Sequence, residues 1–248
     1  MALHIATADG TSTTTIADPG SGPQWSPDSS HIGYYTYADE VLALHIATAD
    51  GTSTTRIADD LGRGLPRPQW SPDGSHIGYY TYADEVALHI ATADGTNSAQ
   101  LAVGYGFGLQ LPRWSPDGSR VAYYRYADGE LALHIATADG TSPTEIIGTG
   151  WWGPSQTAAF AWSPDSNRVA YTKLEPEERP EDLDLRDASS WPATHVFVEV
   201  VGIKGGNPVA LQPSIYGAAA GERFCGVIAL SWQRNGIRFD TEDWSNWC

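Results

Sequence analysis

QWSPDGSHIGYYTYADEVALHIATADGT, residues Gln69–Thr96, is the stretch that decides the fold. SPDG is a turn sequence, because proline presets φ and the Asp and Gly residues complete the turn. HIGYYTY then alternates Ile77, Tyr79 and Thr81 with the other side chains, as a strand does. After the ADE turn, VALHIATA alternates in the same way, and DGT predicts a hairpin turn into a further strand. We therefore expect a unit of four antiparallel strands, called a, b, c and d in chain order.

The stretch belongs to a repeat that runs through the whole sequence. WSPD occurs four times, starting at Trp25, Trp70, Trp114 and Trp162. ALHIATADG also occurs four times, at Ala2–Gly10, Ala43–Gly51, Ala87–Gly95 and Ala132–Gly140. The spacing of about 41 to 48 residues falls within the range of the four-stranded blades of β-propellers.

Counting strand pairs predicts five blades. The a–b pairs are placed near residues 24–37, 69–82, 113–126, 161–172 and 227–240. The c–d pairs are placed near residues 2–17, 42–58, 86–102, 131–147 and 195–212. Because the chain starts on a c–d pair and ends on an a–b pair, we expect the first blade to combine strands from both termini, which removes free sheet edges. The prediction is an all-β fold, a single five-bladed β-propeller domain over residues 1–248.

The repeat resembles that of the TolB-type β-propellers, the WSPDG-repeat family with WD-like blades. WSPDG followed by a YY pair, and IATADGT, carry the resemblance, which covers the whole chain. It implies the propeller fold. It does not specify a function, because the same repeat occurs in periplasmic TolB, in other secreted propellers and in the non-catalytic propellers of prolyl-oligopeptidase-like enzymes. TolB has a further blade and a separate α/β domain, so its partners are not carried over to this chain.

The charge of the chain excludes some classes of partner. Lys and Arg total 14 against 30 Asp and Glu, which gives a formal net charge of −16. A surface of this charge repels nucleic acid and anionic lipid headgroups. No apolar run approaches the roughly 18 residues of a membrane span. We expect a protein, peptide or glycan ligand, no nucleic acid and no membrane insertion.

Ligand binding is expected on one face of the propeller. The SPDG and ADGT turns lie on one face and hardly vary, whereas the b–c turns and the d-to-a crossovers lie on the other face and differ between repeats. Binding residues concentrate on variable loops held by a rigid scaffold. Aromatic side chains there suit stacking on sugars or anchoring a partner, and acidic turns suit a basic peptide or an amine. The candidate ligand-binding residues are Tyr82, Asp84, Glu85, Tyr105, Phe107, Arg125, Asp128, Trp151 and Trp152.

Two sets of repeated side chains are interpreted as packing groups. One repeat position, on strand c, is occupied by His4, His45, His89 and His134. Strand c is the third strand from the axis, so these histidines are far apart, and we expect packing between blades with one hydrogen bond rather than a metal ring. The tyrosines of the YYTY repeat are expected to fill the space between blades, and the last tyrosine of each trio lies near the variable face.

No cofactor is expected, whereas a disulfide is. The alternative to the first expectation is a calcium ion at Asp182, Asp184 and Asp187, which alternate in DLDLRD like the start of a calcium loop, although the glycine and the distal glutamate of such a loop are missing. Cys225 and Cys248 flank the last a–b pair, whose two ends lie on the same face, so we expect a disulfide, with two reduced thiols as the alternative. The disulfide and the family resemblance together predict an extracytoplasmic protein, periplasmic or secreted.

The start of the chain and its motifs bear on the function class. MALHIATADG has no signal-peptide pattern, so we expect a trimmed mature domain or a recombinant start, with a genuine start as the alternative. The sequence contains no G-x-S-x-G elbow, no H-E-x-x-H and no phosphate loop. The favoured hypothesis is a non-enzymatic binding propeller. The alternatives are a hydrolase or lyase that acts on polysaccharide through carboxylates of the variable face, and a structural subunit of a larger assembly.

Overall fold

The computed structural model describes residues 1–59, 61, 67–82, 85–104, 112–127, 130–151, 159–176, 194–210, 215–216, 227–233 and 236–241. Every regular element within these ranges is a β-strand, so the predicted all-β class is confirmed. The same ranges contain no helix whose length and apolar character would let it cross a membrane.

The chain opens with a two-stranded sheet, the N-terminal pair, and continues through four-stranded antiparallel sheets that are the predicted blades. The N-terminal pair is β1 (Leu3–Ala6) and β2 (Thr13–Ala17). The first full blade is β3 (Ser21–Trp25), β4 (His31–Ala38), β5 (Val41–Thr48) and β6 (Thr54–Ala58). The second is β7 (Gln69–Trp70), β8 (His76–Tyr82), β9 (Val86–Thr92) and β10 (Ser98–Gly104).

Two further full blades and a second two-stranded sheet follow. The third full blade is β11 (Arg113–Trp114), β12 (Arg120–Ala127), β13 (Glu130–Thr137) and β14 (Thr144–Trp151). The fourth is β15 (Phe160–Trp162), β16 (Arg168–Pro176), β17 (Thr194–Gly202) and β18 (Val209–Ala210), with β19 (Ile215–Tyr216) also paired to β17. The C-terminal pair is β20 (Val227–Gln233) and β21 (Gly236–Thr241). Each full blade has its strands in chain order, as expected for a, b, c and d.

The SPDG turns are held by hydrogen bonds that explain why this motif recurs. In the first full blade the buried Ser26 Oγ donates to Asp28 Oδ1 at 2.5 Å and accepts from the backbone N of His31 at 2.9 Å. Asp28 also accepts from the backbone N of Ser30 at 3.2 Å. The same serine–aspartate bond is formed at Ser71–Asp73, Ser115–Asp117 and Ser163–Asp165. The motif therefore builds the a–b turn, and its constancy needs no ligand.

The ATADGT turns between strands c and d have a similar internal network. Asp50 Oδ1 accepts from Thr48 Oγ1 at 2.6 Å and from the backbone N of Thr52 at 3.0 Å. Equivalent bonds hold Asp9, Asp94 and Asp139. A carboxylate that accepts several such bonds is stabilised in its charged form, which fixes the turn geometry.

The chain divides into two compact units, Met1–Val121 with Ala136–Pro143, and Ala122–Ile135 with Thr144–Cys248. In the first unit, adjacent blades are joined through their repeat tryptophans: Trp70 Nε1 donates to the carbonyl of Gln24 at 3.2 Å, and Trp114 Nε1 to that of Gln69 at 3.1 Å. A core forms between the first and second full blades, where the buried members include Leu44, Ile46, Trp70, Ile77 and Tyr79. The N-terminal pair packs Leu3, Ile5 and Ile16 against Ile32 and Tyr34.

The second unit has its own apolar cores. One contains the third- and fourth-blade residues Tyr124, Leu133, Phe160, Trp162 and Tyr171. The other packs Trp232 and Ile237 of the C-terminal pair against Ala159, Ala161, Ala170, Val198 and Val200 of the fourth full blade. Burial of these apolar surfaces supplies the main driving force for the packing of blades. The prediction that residues 1–248 form a single domain stays a prediction.

Candidate functional site

The candidate site is built from the ends of strands b and c that meet at the b–c turns. Tyr82 is the last residue of β8 and is 52% exposed. Tyr37, its repeat equivalent in β4, is 42% exposed. Arg125 of β12 is exposed, and Glu85, just before β9, is half-buried. These strand ends therefore present aromatic and charged side chains to solvent.

The inner tyrosines of the same strands are buried, as the sequence predicted. Tyr34, Tyr79 and Tyr80 lie in the core, and burial raises the pKa of Tyr80 above its usual range. Alternation along β8 places Tyr80 and Tyr82 on the same side of the strand. Of the two rings, that of Tyr80 is buried and that of Tyr82 is exposed. We attribute the exposure of Tyr82 to its position at the end of the strand.

The b–c turn of the first full blade has an unusual backbone. Asp39 and Glu40 adopt positive φ values of 51° and 67°, and the β4–β5 pairing ends next to them at Ala38–Val41. This is the backbone of a two-residue hairpin turn, in which Asp is tolerated better than most residues. Non-glycine residues with positive φ store strain that the surrounding structure must offset. Two exposed carboxylates are thereby held at a fixed turn next to Tyr37 in sequence.

The repeated histidines are packing groups with one hydrogen bond, but the stacking and hydrogen-bond partners of His45 and His89 lie on the neighbouring strand of the same blade and not, as predicted, on another blade. His45 stacks on Tyr34 with ring centroids 5.3 Å apart, and its Nε2 lies 2.9 Å from Thr36 Oγ1. The second full blade repeats this arrangement with a Tyr79–His89 stack at 5.3 Å and a Thr81–His89 bond at 3.0 Å. Burial lowers the pKa of both histidines, so the neutral rings are favoured. In the described residues, no three side chains of His, Cys, Asp or Glu form a group that could hold a metal ion.

The third and fourth full blades depart from this pattern. Arg125 of the third blade occupies the position of a threonine in the first two blades. His134 stacks on Tyr123 with ring centroids 5.7 Å apart, and its Nε2 lies 3.9 Å from Glu145 Oε2. In the fourth blade Glu199 replaces the histidine and accepts a 2.5 Å bond from the Tyr171 hydroxyl. The threonine-to-arginine change places an exposed cation at one b-strand end, so the candidate site differs from blade to blade.

Several candidate residues are not placed by the structure. Asp84, Tyr105, Phe107, Asp128 and Trp152 lie outside the described residues. The same holds for the calcium candidates Asp182, Asp184 and Asp187 and for Cys225 and Cys248, so the calcium site and the disulfide stay predictions.

Trp151 is placed differently from the prediction. The sequence analysis puts it in a Gly-rich crossover, but it is the last residue of β14, with Glu130 as its register partner. The glycines of GTGWWG indicate a loop. In the structure the backbone of β14 stays extended and pairs with β13 as far as Trp151, so the sheet satisfies its backbone hydrogen-bonding groups. Trp151 is therefore a strand-end residue in backbone terms, like Tyr82.

The sequence analysis missed a cleft at the opposite strand ends in the second unit. This Arg168 cleft has a volume of about 420 Å³ and is lined by Arg168, Val200, Gly202, Asn207, Val209, Trp232 and Ile237. The Arg168 guanidinium carbon lies 5.1 Å from the centroid of the Trp232 ring, a cation–π arrangement. The cleft could have been predicted by aligning the repeats, because its lining residues occupy repeat positions that face the next blade.

Comparisons with known proteins identify the fold. Neither a family model nor a curated protein matches the sequence. Similar solved structures include TolB from Acinetobacter baumannii, with 18% identity over 98% of this chain and 54% of that chain, and a TM-score of 0.47. The tricorn protease has 12% identity over 96% of this chain and 24% of that chain, with a TM-score of 0.50. Oligogalacturonate lyase from Vibrio parahaemolyticus has 14% identity over 85% of this chain and 60% of that chain, with a TM-score of 0.48.

These likenesses concern the fold alone. The predicted resemblance to TolB-type propellers is confirmed at this level, since TolB is among the similar structures and the chain forms successive four-stranded antiparallel sheets. The chain spans about half the length of the TolB chain that it matches. Two of the three names denote different activities, a protease and a lyase, and a fold shared between activities does not assign one. Function must therefore be argued from this chain's own surface.

Proposed function

We propose that this chain of TolB-type propeller blades is a non-enzymatic binding protein that recognises a protein, peptide or glycan through the b–c ends of its blades. The observation that supports the proposal is the exposure of Tyr37 and Tyr82 at equivalent strand ends, while the inner tyrosines are buried. An exposed aromatic ring on a paired strand is held rigidly at little entropic cost, which suits stacking on a sugar ring or anchoring a peptide.

Charged side chains occupy the b–c strand ends of individual blades. Asp39 and Glu40 add two exposed carboxylates in the first full blade, and Arg125 adds an exposed cation in the third. The sequence adds Asp84, Asp128 and Trp151 to the same strand ends. Because the blades differ here while their a–b turns do not, we propose one asymmetric site rather than a set of identical ones.

Alanine substitution of the two exposed tyrosines tests the proposal. A glycan and peptide array with the wild-type protein supplies a ligand, and its affinity is then measured for Tyr37→Ala/Tyr82→Ala. Stacking of one base or sugar-sized ring contributes roughly 1–3 kcal/mol, so we expect affinity to fall at least about tenfold. Val103→Ala, at an exposed position on strand d, is the matched control and keeps wild-type affinity. Equal affinity of the double variant and the control, with the fold intact, contradicts the proposal, and release of products from a polysaccharide favours the enzymatic alternative.

We also propose that the N-terminal and C-terminal pairs together form a fifth blade. The β20–β21 register supports this, because Trp232 is opposite Ile237 as Trp70 is opposite Ile77. Phe239 then takes the position of Tyr79, and His4 takes that of His89.

Deletion of residues 2–16 tests closure. We expect a lower midpoint of thermal unfolding and loss of cooperativity, because the C-terminal pair loses its sheet partners. The measurement is calorimetry of the deletion variant beside the full chain. A soluble deletion product that unfolds at the wild-type temperature contradicts five-bladed closure.

The extracytoplasmic location is part of the same proposal, and it depends on the disulfide and on the resemblance to periplasmic propellers. Mass measurement of alkylated protein before and after reduction tests the Cys225–Cys248 bond. Alkylation of both cysteines without prior reduction contradicts it.

A further inference from the structure

In the first full blade, the exposed tyrosine at the b–c end is followed closely by two carboxylates. Tyr37 is 42% exposed, and Asp39 and Glu40, in the turn after it, are exposed as well. Among the residues that the structure describes, neither carboxylate forms a salt bridge. The b–c end of this blade therefore presents an aromatic ring and two negative charges within four consecutive residues.

The second full blade, which belongs to the same compact unit, repeats the combination. Its sequence at the b–c end is again YADE, and Tyr82 is 52% exposed. Glu85, the equivalent of Glu40, is half-buried and forms no salt bridge within the described part of the chain. The first unit thus carries an exposed ring with acidic neighbours at the b–c ends of two successive blades.

An aromatic ring combined with carboxylates is suited to a cationic side chain. A Lys ammonium or an Arg guanidinium is attracted both by the face of the ring and by the carboxylate charge. A neutral glycan would gain from the ring and from hydrogen bonds but not from the charge. The formal net charge of −16 adds a long-range attraction for a cationic partner only.

We propose that the ligand of the b–c strand ends is a basic peptide segment, whose Lys or Arg side chains lie on Tyr37 and Tyr82 and pair with the carboxylates beside them. This ligand class rests on the binding function proposed above and narrows it. A peptide fits better than a single amine because the two equivalent blade ends can each hold one cation of the same chain, which increases the total affinity.

The third full blade limits the surface to the first two. Arg125 is exposed at the position that Thr36 and Thr81 occupy in the first and second full blades. An exposed cation at this strand end repels a basic segment. We therefore expect the peptide to lie on the first two full blades, and Arg125 to weaken its binding.

Short capped peptides test the ligand class. The probes carry two lysines separated by one to five glycines, and matched peptides carry glutamate in place of lysine. We expect the lysine peptides to bind, the glutamate peptides not to bind, and affinity to fall several-fold when salt rises from roughly 20 mM to 500 mM, because exposed charges are then screened. Equal binding of both peptide series, or binding that does not depend on salt, overturns the proposal.

Conservative substitutions of the two tyrosines test the contact with the rings. Tyr37→Phe/Tyr82→Phe keeps both aromatic faces, so we expect it to keep the wild-type affinity for the lysine peptides. Tyr37→Leu/Tyr82→Leu keeps apolar side chains without aromatic faces, so we expect affinity to fall roughly two- to fivefold per ring. Equal affinities of the two variants mean that no cation lies on the rings, and this result overturns the proposal.

Arg125→Thr, which introduces the threonine of the other blades, is a test by gain of affinity. We expect the lysine peptides to bind at least about twofold more tightly at low salt. Arg120→His is the matched control, because it removes a cation from the other end of the same strand and introduces the residue found at His31 and His76. An equal gain in both variants at pH 8 reflects the net charge alone and overturns the proposal.

Failure of this ligand class is distinguishable from failure of the proposed binding function. A neutral glycan whose binding is lost in Tyr37→Ala/Tyr82→Ala, while lysine peptides do not bind, keeps the function and overturns the basic peptide. An array ligand that binds this variant with wild-type affinity contradicts the proposed function itself.

Discussion

His89 shows how a repeated histidine can serve packing alone. Its ring stacks on Tyr79, its Nε2 lies 3.0 Å from Thr81 Oγ1, and burial lowers its pKa below the ordinary value of 6.5. The equivalent position is filled by Glu199 in the fourth full blade, where the partner is a tyrosine hydroxyl. In both blades the side chain at this position is hydrogen-bonded to the neighbouring strand, as a packing group is.

The lowered histidine pKa predicts a pH dependence of stability. The folded state binds a proton at His89 less readily than the unfolded state, so stability is fully present above about pH 6.5 and falls as the pH drops towards the folded pKa. His45 and His134 act in the same direction. We expect the urea midpoint to be lower at pH 5 than at pH 7.5.

His89→Phe is the variant that tests this cause. It keeps an aromatic ring against Tyr79 and removes both the titration and the bond to Thr81. We expect a lower midpoint than wild type at pH 7.5 and a smaller decrease between pH 7.5 and pH 5. A decrease as large as that of the wild type would rule out His89 as a contributor.

At the scale of the strand and turn, the glycines of the c–d turns carry two separate constraints. Gly95 needs its positive φ of 71°, and a Cβ there would lie 2.5 Å from Ile57 Cδ1. Gly205, in the diverged turn of the fourth full blade, also has a positive φ, 74°, but a Cβ there meets no described atom within 4 Å. Gly205 is therefore constrained only by its positive φ, whereas Gly95 is constrained both by its positive φ and by the lack of space for a side chain.

Alanine substitutions at these glycines have different expected costs. Gly205→Ala carries only the cost of a left-handed alanine, about 1 kcal/mol. Gly95→Ala adds a steric clash between blades, so we expect a total loss of about 2–4 kcal/mol in the free energy of unfolding. Chemical denaturation of the two variants measures the difference. Equal losses would mean that the Gly95 contact relaxes without cost.

At the scale of the whole molecule, the aspartate turns make the fold sensitive to strong acid. Hydrogen bonds from neighbouring threonines or serines lower the pKa of Asp9, Asp28, Asp50, Asp94 and Asp139 from 3.8 to about 2 each. Because these pKa values are depressed in the folded state, the stabilisation is present above about pH 4 and is lost as the pH falls towards 2. We expect the thermal midpoint to decrease steeply below pH 4.

Asp50→Asn isolates one of these turns. We expect the variant to be less stable than wild type at pH 5, where the carboxylate is charged, and closer to it at pH 2, where the folded carboxylate is about half protonated. Thermal unfolding at the two pH values makes the comparison. A difference that persists unchanged at pH 2 would assign the effect to shape rather than to charge.

Much of this architecture could be predicted from local chemistry. SPDG and ADGT specify their turns through hydrogen bonds within a few residues, and strand alternation follows from side-chain period, so blades and their strand order were predictable. The exposed Tyr82 and the buried Tyr80 share a motif, and only the neighbouring strands distinguish them. The glycines around Trp151 indicate a loop, whereas β14 extends to Trp151 because it pairs with β13. The Arg168 cleft depends on contacts between blades, which no single repeat contains.

The glycine contact between blades also bears on how such a chain can change in length. The c–d turn of a blade and its strand d meet the blade before and the blade after through equivalent contacts, as Gly51 meets Thr14, Gly95 meets Thr55 and Gly140 meets Ala99. A duplicated segment of DNA that encodes one blade would therefore bring both halves of its interface with it. Gain or loss of a blade of this kind would leave each remaining glycine turn facing a strand d of the same repeat type, so the repeat is compatible with a change in the number of blades.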